Sequence, residues 1–404
     1  MDYVKLLIST IEWLLALYLG IGALYIFLFS LAGLFRKKTT MVKALKYTRK
    51  YAVLIPGYKE DAVILDVAKK ALDQSYPQFL FDVVVIADSF KPETLSELEK
   101  MPIKLVEVDF EVSTKSKALN KAMKTIGDGY DVALVLDADN IMEHGFIEKM
   151  DHAFENGFKV VQGHRVAKNT NTSFAILDAI SEEVNNHIFR KGHRALRLSS
   201  ALIGSGMGFE YSFFKRTMAQ VEAVGGFDKE LELKLLRSGE KIEYLHHAIV
   251  YDEKVQKAAV FANQRKRWLS AQFIYFRRFV GSGIKELFLR GNIDFFDKVY
   301  QMIAPPRVLL AGVVTLISLF YAGIHFLFPV VSGFMGIPYQ FWLFTFLVVV
   351  FAFLMAIPKK FYSIDTLKAL LTLPKAFGLM FLSLFKLKGA NKKFIHTEHG
   401  TINS

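Results

Sequence analysis

Two carboxylates, Asp137 and Asp139, follow an apolar run in the segment Tyr130–Asn140. On an extended backbone, residues i and i+2 point to the same side. Beyond the carboxyl edge of an α/β sheet, where such sheets bind ligands, both side chains could therefore bind one divalent cation. Hard oxygen ligands suit Mg²⁺ or Mn²⁺, and Mg²⁺ often takes only one or two carboxylates plus substrate phosphates. A lone Asp-x-Asp pair could also be a solvated acidic turn, so the neighbouring motifs must decide between a metal site and a turn.

A second group of residues offers contacts to a nucleotide. Gly57 lies in the Pro-Gly turn of Ile55–Asp61, where exposed backbone N–H groups could meet a base or ribose. Asp88 closes an apolar run and could accept a hydrogen bond from a uracil N–H or a ribose hydroxyl. The alternative for Asp88 is a helix N-cap or a turn residue.

Two further segments could approach phosphates. Lys117, in Lys115–Asn120, opens a predicted helix and could contact a diphosphate, although a solvated lysine is the simpler interpretation. Gly204 and Gly206 form a flexible turn that would let the backbone approach a ligand. No Gly-x-x-x-x-Gly-Lys-Ser/Thr motif occurs, so the sequence does not support a P-loop NTPase.

The segment Gln264-Arg-Lys-Arg267-Trp268 combines a forked phosphate donor with a flat aromatic face. Arg267 suits a phosphate group, and Trp268 suits stacking on a sugar ring. The alternative is a basic cluster beside a membrane, with the tryptophan at the level of the lipid headgroups.

The elements that must position these residues alternate between β-branched strands and helices, which predicts an α/β domain with a mainly parallel, buried sheet of nucleotide-binding type. The predicted strands are Ala52–Pro56, Phe81–Asp88, Ile103–Val108 and Tyr130–Asp139, and the predicted helices are Asp61–Gln74, Lys115–Ile126 and Gly145–Asn156.

Composition indicates a membrane protein. The 404 residues are 52% hydrophobic, include 37 Phe and have a mean hydropathy of +0.27. The net charge of +12 could suggest nucleic acid, but no basic repeat or base-stacking motif accompanies it, so we expect no nucleic-acid partner. Membrane topology and anionic headgroups explain the charge better. The absence of cysteine excludes disulfides and thiolate metal sites.

Apolar runs predict three membrane spans. Residues 8–35 carry one charge, Glu12, and lack a convincing cleavage site, which predicts an uncleaved anchor. The basic residues that follow place the next domain in the cytoplasm by the positive-inside rule. Residues 308–328 and 339–357 form the other two spans. For residues 370–387, the basic tail favours an interfacial helix over a fourth crossing.

These patterns predict a domain order. Residues 1–36 form a transmembrane anchor, 37–50 a basic linker, 51–282 the cytosolic α/β domain, 283–307 an interfacial amphipathic helix, 308–357 a transmembrane hairpin, and 358–404 an interfacial helix with a basic cytosolic tail.

Taken in order, the motifs resemble those of the membrane-bound family 2 glycosyltransferases, the relatives of bacterial cellulose, chitin and hyaluronan synthases. The resemblance covers about residues 51–268, and Asp-x-Asp together with Gln-x-x-Arg-Trp makes it specific. It implies a GT-A fold, a Rossmann-like mixed sheet, that binds a nucleotide sugar, usually UDP-linked, with Mg²⁺ or Mn²⁺.

The resemblance also implies roles for particular residues. Those matching Asp88 and Asp137 hold the nucleotide, and the residue matching Asp139 binds the metal. Those matching Gln264, Arg267 and Trp268 contact the diphosphate and the acceptor end.

The catalytic base is where this sequence departs from the family. A Thr-Glu-Asp motif is replaced by Gly-Gly-Phe-Asp228-Lys-Glu230. Counting back from the helix-ending Gly239 favours Asp228 as the base, with Glu230 as the alternative. Asp228 could also serve only as the cap of the helix that follows.

The expected protein is thus an inner-membrane, multi-pass, inverting glycosyltransferase that moves a sugar from a UDP-sugar to a glycan and makes a β-linked polysaccharide. One alternative is a single addition to a lipid acceptor such as polyprenyl phosphate, and another is a catalytically silent nucleotide-binding scaffold. The expected partners are the donor, a glycan or lipid-linked acceptor, the bilayer and other envelope-polysaccharide proteins.

Overall fold

The computed structural model describes residues 2–36, 47–223, 225–254, 256 and 258–384. The strands of this part of the chain are β1 Tyr51–Tyr58, β2 Phe81–Asp88, β3 Lys104–Val108, β4 Val132–Val135, β5 Ile141–Met142, β6 Val160–Ala167, β7 Met207–Glu210 and β8 Ile242–Asp252.

The helices in the same residues are α1 Asp2–Leu34, α2 Ile64–Leu72, α3 Pro92–Glu99, α4 Lys115–Ile126, α5 Phe146–Glu155, α6 Ser173–Asn185, α7 His193–Ala195, α8 Tyr211–Met218, α9 Phe227–Arg237, α10 Ala258–Arg290, α11 Ile293–Ile303, α12 Arg307–Leu327, α13 Pro329–Ser332, α14 Tyr339–Ala356, α15 Ile364–Leu370 and α16 Leu373–Leu384. A π-helical segment, Asn186–Gly192, joins α6 to α7, and 3₁₀ turns cover Gln78–Leu80 and Lys359–Phe361.

The strands form one mixed sheet in the order β3-β2-β1-β4-β7-β6-β8-β5. The first four are parallel to one another, β7 is antiparallel to both β4 and β6, and β8 is parallel to β6. Both faces of β1 are buried because its side chains alternate between two cores: Leu54 packs with Leu119, while Val53 packs with Val67. The expected α/β mixed sheet is confirmed.

The acidic turn differs from the expectation in one respect. The strand predicted over Tyr130–Asp139 ends at Val135, and Asp137 and Asp139 lie in the turn that follows. The premise that the two point the same way because they alternate along a strand is therefore wrong. The turn itself is held by hydrogen bonds from Leu136 N to Leu54 O (3.0 Å) and from Asn140 N to Asp137 O (3.1 Å).

Three described helices are long and apolar enough to cross a membrane, namely Leu6–Leu34 within α1, α12 and α14. They agree with the three expected spans, and they pack on one another through Ala23, Val314 and Trp342. Helix α16 packs Phe377 against Gly312 of α12. The basic linker residues 37–46 and the basic tail 385–404 lie outside the described residues.

Helix α10 passes through the boundary predicted between residues 282 and 283. Its last turns expose Phe288 (81% exposed) and Leu289 (70%), as expected of a helix at a bilayer interface. Helix α11 follows a break at Gly291 and buries Phe295 and Val299 in the core of the α/β domain. The segment 283–307 therefore contains the end of one helix and a second helix that belongs to the domain core.

Candidate active site

A cavity of about 770 Å³ opens at the carboxyl ends of β1 and β2 and reaches the membrane-type helices. We call its first part the sheet end, formed by Gly57, Asp88, Asp137 and Asp139. The membrane end is formed by Gly22, Ile26, Arg307, Val308 and Met380. Of the residues expected from the sequence, the cavity is lined by Gly57, Asp88, Asp137, Asp139, Gly204, Asp228, Gln264, Arg267 and Trp268.

The acidic turn is positioned by Ser205, which sits in the loop before β7. Its hydroxyl accepts a hydrogen bond from Asp137 N (2.9 Å) and donates to Asn140 Oδ1. Gln162 of β6 holds this loop by donating from Nε2 to Ser205 O (2.9 Å). Because Gln162 and Ser205 are both fully buried, the position of the carboxylates is set by the sheet beneath them.

Lys115, rather than Lys117, reaches the carboxylates. The Lys115 ammonium forms an ion pair with Asp137 and donates to Gly204 O (2.8 Å). Lys117 is exposed on another side of α4 and donates to Val112 O (2.9 Å), outside the cavity. Residues two apart on a helix do not share a face, so only one lysine of this segment can point into the site, and the sequence did not indicate which.

Asp139 is 5% exposed and lies beside a second buried carboxylate, Asp252, at the end of β8. Asn140 joins them, because its Nδ2 lies 2.8 Å from Asp252 Oδ1 and 3.4 Å from Asp139 Oδ1. Burial alone would raise the pKa of Asp252, but nearby Arg165 and Lys254 outweigh it and hold that pKa below its ordinary value. Asp252 is therefore ionised and already balanced by protein cations.

Asp137 and Asp139 are the two carboxylates of the acidic turn that could bind a divalent cation. Among the described residues no group of three or more His, Asp or Glu side chains is arranged to hold a metal. Two carboxylates that share a cavity still fit Mg²⁺ or Mn²⁺, because these ions complete their coordination with water and substrate phosphates. The chemistry of the site therefore suits a cation that arrives together with a phosphorylated ligand.

Asp228 lines the cavity from the first turn of α9. The residue at the cap position is Gly226, with a left-handed φ of +68°, so Asp228 is not the cap. Burial raises the pKa of Asp228, the neighbouring Glu232 raises it further, and Lys229 and Lys115 partly offset both effects. A carboxylate with a raised pKa inside a cavity is suited to accept a proton.

Glu230, the alternative base, is fully buried and does not line the cavity. Its carboxylate lies 3.0 Å from Arg278 Nη1 and 3.6 Å from Lys234 Nζ. The Arg278 contact attaches α9 to α10, and the Lys234 contact lies within α9. Asp228 therefore lines the cavity, whereas Glu230 lies in the domain interior.

One face of α10 supplies the third part of the site. Gln264, Arg267 and Trp268 lie three and four residues apart, which puts them on the same side of the helix. Burial lowers the pKa of the Arg267 guanidinium. Trp268 is 41% exposed, and the Arg265 guanidinium stacks on its ring at 4.5 Å. A half-exposed indole beside buried cations can contact a sugar ring.

The remaining expected residues are two glycines, Gly57 and Gly206, and a buried carboxylate, Asp88. A side chain on Gly57 would collide with the Phe90 ring (Cζ at 2.6 Å), so glycine lets Phe90 pack directly against the end of β1. Asp88 is 3% exposed and accepts a hydrogen bond from Ser89 Oγ (3.0 Å). Gly206 is the exception. It lies behind the cavity, where its carbonyl accepts from Gly163 N (2.8 Å).

Sequence reasoning missed the residues that support the carboxylates: Lys115, Gln162, Arg165, Ser205, Asp252 and Lys254. Only Ser205 and Lys115 lay inside motifs already singled out, between Gly204 and Gly206 and two residues before Lys117. The others come from β6, from β8 and from the residues just after β8, whose proximity to the acidic turn follows from the strand order.

Three comparisons with known proteins bear on this site. The family model described as glycosyltransferase like family 2 matches residues 48–271. A curated relative, the probable glycosyltransferase YdaM of Bacillus subtilis (strain 168), is 22% identical over 293 residues, which cover 69% of this chain and 68% of the relative.

Among solved structures, the mannosyltransferase PcManGT from Pyrobaculum calidifontis, in complex with GDP-Man and Mn²⁺, is similar with a TM-score of 0.50. The match covers 85% of this chain and 97% of that chain at 14% identity. At that identity the likeness concerns the fold, and it agrees with the expected GT-A architecture.

Proposed function

This chain belongs to glycosyltransferase family 2 and transfers a sugar from a nucleotide-sugar donor, and from that premise we propose that it uses a UDP-sugar and inverts the anomeric centre. One observation carries the proposal. A single cavity joins the acidic turn, Asp228 and the Gln264–Trp268 face, which come from three separate parts of the chain.

In this proposal the donor diphosphate lies at the sheet end. Asp88 accepts a hydrogen bond from the nucleoside, and Gly57 lets the backbone of β1 approach it. Lys115 and Arg267 are the protein cations of the cavity best placed to stabilise negative charge on the departing diphosphate. Lys115 takes the part that the sequence suggested for Lys117, because its ammonium lies in the cavity. A divalent cation bound through Asp137 and Asp139 would add positive charge at the leaving group.

Asp228 acts as the base. As the acceptor hydroxyl attacks the anomeric carbon, its proton passes to the Asp228 carboxylate and the bond from that carbon to the diphosphate oxygen breaks. A single displacement converts an α-linked donor into a β-linked product. The buried carboxylate supports this assignment because its raised pKa makes it a stronger base than an ordinary aspartate.

We propose that the product is a β-linked polysaccharide and that the enzyme is a multi-pass protein of the inner membrane with its catalytic domain in the cytosol. Trp268 and Gln264 support an extended acceptor. The Gln264 Oε1 atom is buried without a hydrogen-bond partner in the described structure, so an acceptor hydroxyl could satisfy it.

The second candidate is a single sugar addition to a lipid acceptor such as polyprenyl phosphate. It is favoured by the membrane end of the cavity, which is lined by residues of two candidate membrane spans. Analysis of products from the purified protein separates the two: a ladder of lengths supports the polysaccharide, and one added sugar supports the lipid acceptor.

The deciding experiment is a screen of nucleotide sugars in membranes for metal-dependent release of the nucleoside diphosphate. UDP-sugars are expected to be used, and GDP-mannose belongs in the panel because the structural neighbour binds it. Asp137→Asn and Asp139→Asn should each lower the release by about 10²–10³-fold. Unchanged release in both variants would contradict the site, and no release by the wild type with any donor of the panel would support the silent scaffold.

A further inference from the structure

A buried cation that the proposed mechanism does not use lies behind the acidic turn. Arg165 belongs to β6, is 9% exposed and lines the cavity. Its Nη1 atom lies 3.9 Å from Asp137 Oδ2 and 3.7 Å from Asp252 Oδ1. Arg165 therefore faces one of the two carboxylates that could bind a divalent cation, and also the buried carboxylate that lies beside the other.

The protein holds Arg165 in this place from its other side. The Nη2 atom of Arg165 donates a hydrogen bond to Glu182 Oε2 (2.8 Å), and Glu182 belongs to α6. Two more cations lie close to the Glu182 carboxylate, Arg190 at 3.5 Å and Lys254 at 3.7 Å. Because all four side chains are buried, this ion-pair network fixes the guanidinium of Arg165 at the base of the cavity.

Arg165 keeps its charge in this buried position. Burial alone would lower the pKa of its guanidinium, but Asp252, Glu182 and Asp137 outweigh burial and raise that pKa. The acidic turn therefore faces a fixed positive charge before any ligand arrives.

Lys115 is a cation of a different kind. It reaches Asp137 from α4, and in the proposed function it also stabilises the departing diphosphate. Arg165 reaches Asp137 from the sheet and is tied to Glu182 behind it. Of these two cations, Arg165 is thus the one whose position is set by the protein alone.

A fixed cation in this place has opposite effects on the two charged ligands of the site. A divalent cation bound by Asp137 and Asp139 is repelled by Arg165, whereas a diphosphate is attracted by it. Salt screens these forces little, because the groups are buried. A free metal ion therefore gains little from the empty site, and a metal ion that arrives with a diphosphate gains more.

We propose that Arg165 is a built-in counter-cation of the acidic turn, which keeps the affinity for a free divalent cation low so that the metal binds together with the nucleotide diphosphate. Arg165 acts through the charge that it places beside Asp137 and Asp252, so it is a positioning residue. The inference rests on the proposed function, in which a divalent cation accompanies the donor.

The test measures the binding of Mn²⁺ alone to the full-length protein in phosphatidylcholine nanodiscs at neutral pH, by electron paramagnetic resonance of the free ion. Arg165→Met should bind Mn²⁺ about tenfold or more tightly than the wild type, because the repulsion is lost. Arg165→Lys keeps the charge and should stay within about threefold of the wild type. Adding Asp139→Asn to Arg165→Met should abolish the gain, since the bound ion then loses a carboxylate of the acidic turn.

Nucleotide binding without metal should change in the opposite direction. In EDTA, Arg165→Met should bind UDP about threefold to tenfold more weakly, because the diphosphate loses an attractive charge. GDP replaces UDP in this measurement if the wild type binds GDP more tightly. Opposite shifts for a cation and an anion are the result of a lost charge, whereas a disturbed fold would weaken the binding of both.

Arg194→Met is the matched control. Arg194 forms an ion pair of 2.7 Å with the buried Glu243, and neither residue lines the cavity. This variant loses the same charge and also breaks a buried ion pair, but away from the acidic turn. Its affinities for Mn²⁺ and for UDP should equal those of the wild type, and far-UV circular dichroism should show that every variant is folded.

The proposal is overturned if Arg165→Met binds Mn²⁺ no more tightly than the wild type, if it loses affinity for Mn²⁺ and nucleotide alike, or if Arg194→Met shows the same shifts. It is also overturned if the wild type binds Mn²⁺ no more tightly with the nucleotide than without it.

These outcomes are distinct from a failure of the proposed function. A wild type that releases a nucleoside diphosphate while Arg165→Met shows no gain in Mn²⁺ affinity would keep the transferase function and remove the role of Arg165. The expected shifts in a protein that cleaves no nucleotide sugar would contradict the transferase function and keep the role of Arg165.

Discussion

The two ends of the cavity differ in how their charges are balanced. At the sheet end, Asp137 is paired with Lys115, and Asp252 lies 2.6 Å from Lys254 and 3.7 Å from Arg165. At the membrane end, Arg307 makes no ion pair within 4.0 Å among the described residues, and Glu182 acts on it only from a longer distance. One end is close to neutral before any ligand arrives, and the other carries a cation in excess.

This difference has a consequence for binding. A diphosphate that enters the sheet end must compete with Asp137 for Lys115 and also meets the negative charge of Asp139. A divalent cation that accompanies the diphosphate would remove both problems. An anion at the membrane end meets an unbalanced guanidinium and needs no metal. The comparison therefore contrasts one end of the cavity that would need a metal to bind an anion with another end that would not.

The largest predicted effect comes from removing metal. Chelation with EDTA should lower release of the nucleoside diphosphate roughly 10³-fold, since a metal ion contributes several kcal/mol to stabilising a leaving group. The same treatment should leave polyprenyl phosphate binding unchanged. Adding Mg²⁺ or Mn²⁺ back is the control and should restore release. If chelation lowered nucleoside diphosphate release and polyprenyl phosphate binding equally, the contrast between the two ends of the cavity would be wrong.

The next effect concerns the base. Asp228→Asn should lower kcat by about 10²-fold or more, because it removes the group that accepts the proton. Glu230→Gln is the matched control: it alters a carboxylate of the same helix that faces Arg278 instead of the cavity, and it should keep kcat within about threefold. Steady-state kinetics on both variants check the assignment. A large loss of kcat in Glu230→Gln with little change in Asp228→Asn would instead identify Glu230 as the base.

Much of the sheet end could be predicted because its residues lie in short motifs at the ends of strands. Asp88, Asp137, Asp228 and Trp268 were expected in one site, and they line one cavity. The parallel order of β1, β2 and β4 explains why Asp88 and Asp137 lie together, since it brings the ends of these strands to one edge. Asp228 and Trp268 reach the same cavity from helices α9 and α10.

The remaining parts could not be predicted from motifs. Arg307 follows two prolines at the start of a span, a position that the sequence explains fully as the end of an interfacial segment. Its place in the cavity depends on α1, α12 and α16 meeting, and these helices are far apart in the chain. Likewise, which of Lys115 and Lys117 enters the cavity depends on the rotation of α4 against the sheet, which the short basic motif does not specify.

A smaller predicted effect tests whether the rotation of α4 turns Lys115, and not Lys117, into the cavity. Lys115→Met should lower turnover about tenfold, the cost of losing one cation near the leaving group in a partly exposed site. It should also move the acid limb of the pH profile to higher pH. Lys115 lowers the pKa of Asp228, so without it the base is protonated at a higher pH. Lys117→Met is the control and should match the wild type in both rate and profile. A pH profile that stays in place in Lys115→Met would contradict the coupling.

The smallest predicted effect is on stability, and it has the opposite sign to the effect on activity. The pKa of Asp228 is higher in the folded protein than in the unfolded chain, chiefly because the group is buried. The folded state therefore binds this proton more tightly, and ionisation of Asp228 destabilises the fold once the pH rises above its folded-state pKa.

Asp228→Asn removes that cost, so at pH 8 the variant should melt about 1–2 °C higher than the wild type in detergent. At a pH below the pKa of an unfolded aspartate, the Asp228 carboxyl is protonated in both the folded and the unfolded state, so the difference in Tm should disappear. A variant that is inactive yet more stable at high pH is the signature of a residue kept for chemistry, and a lower Tm at every pH would instead assign Asp228 to holding α9 in place.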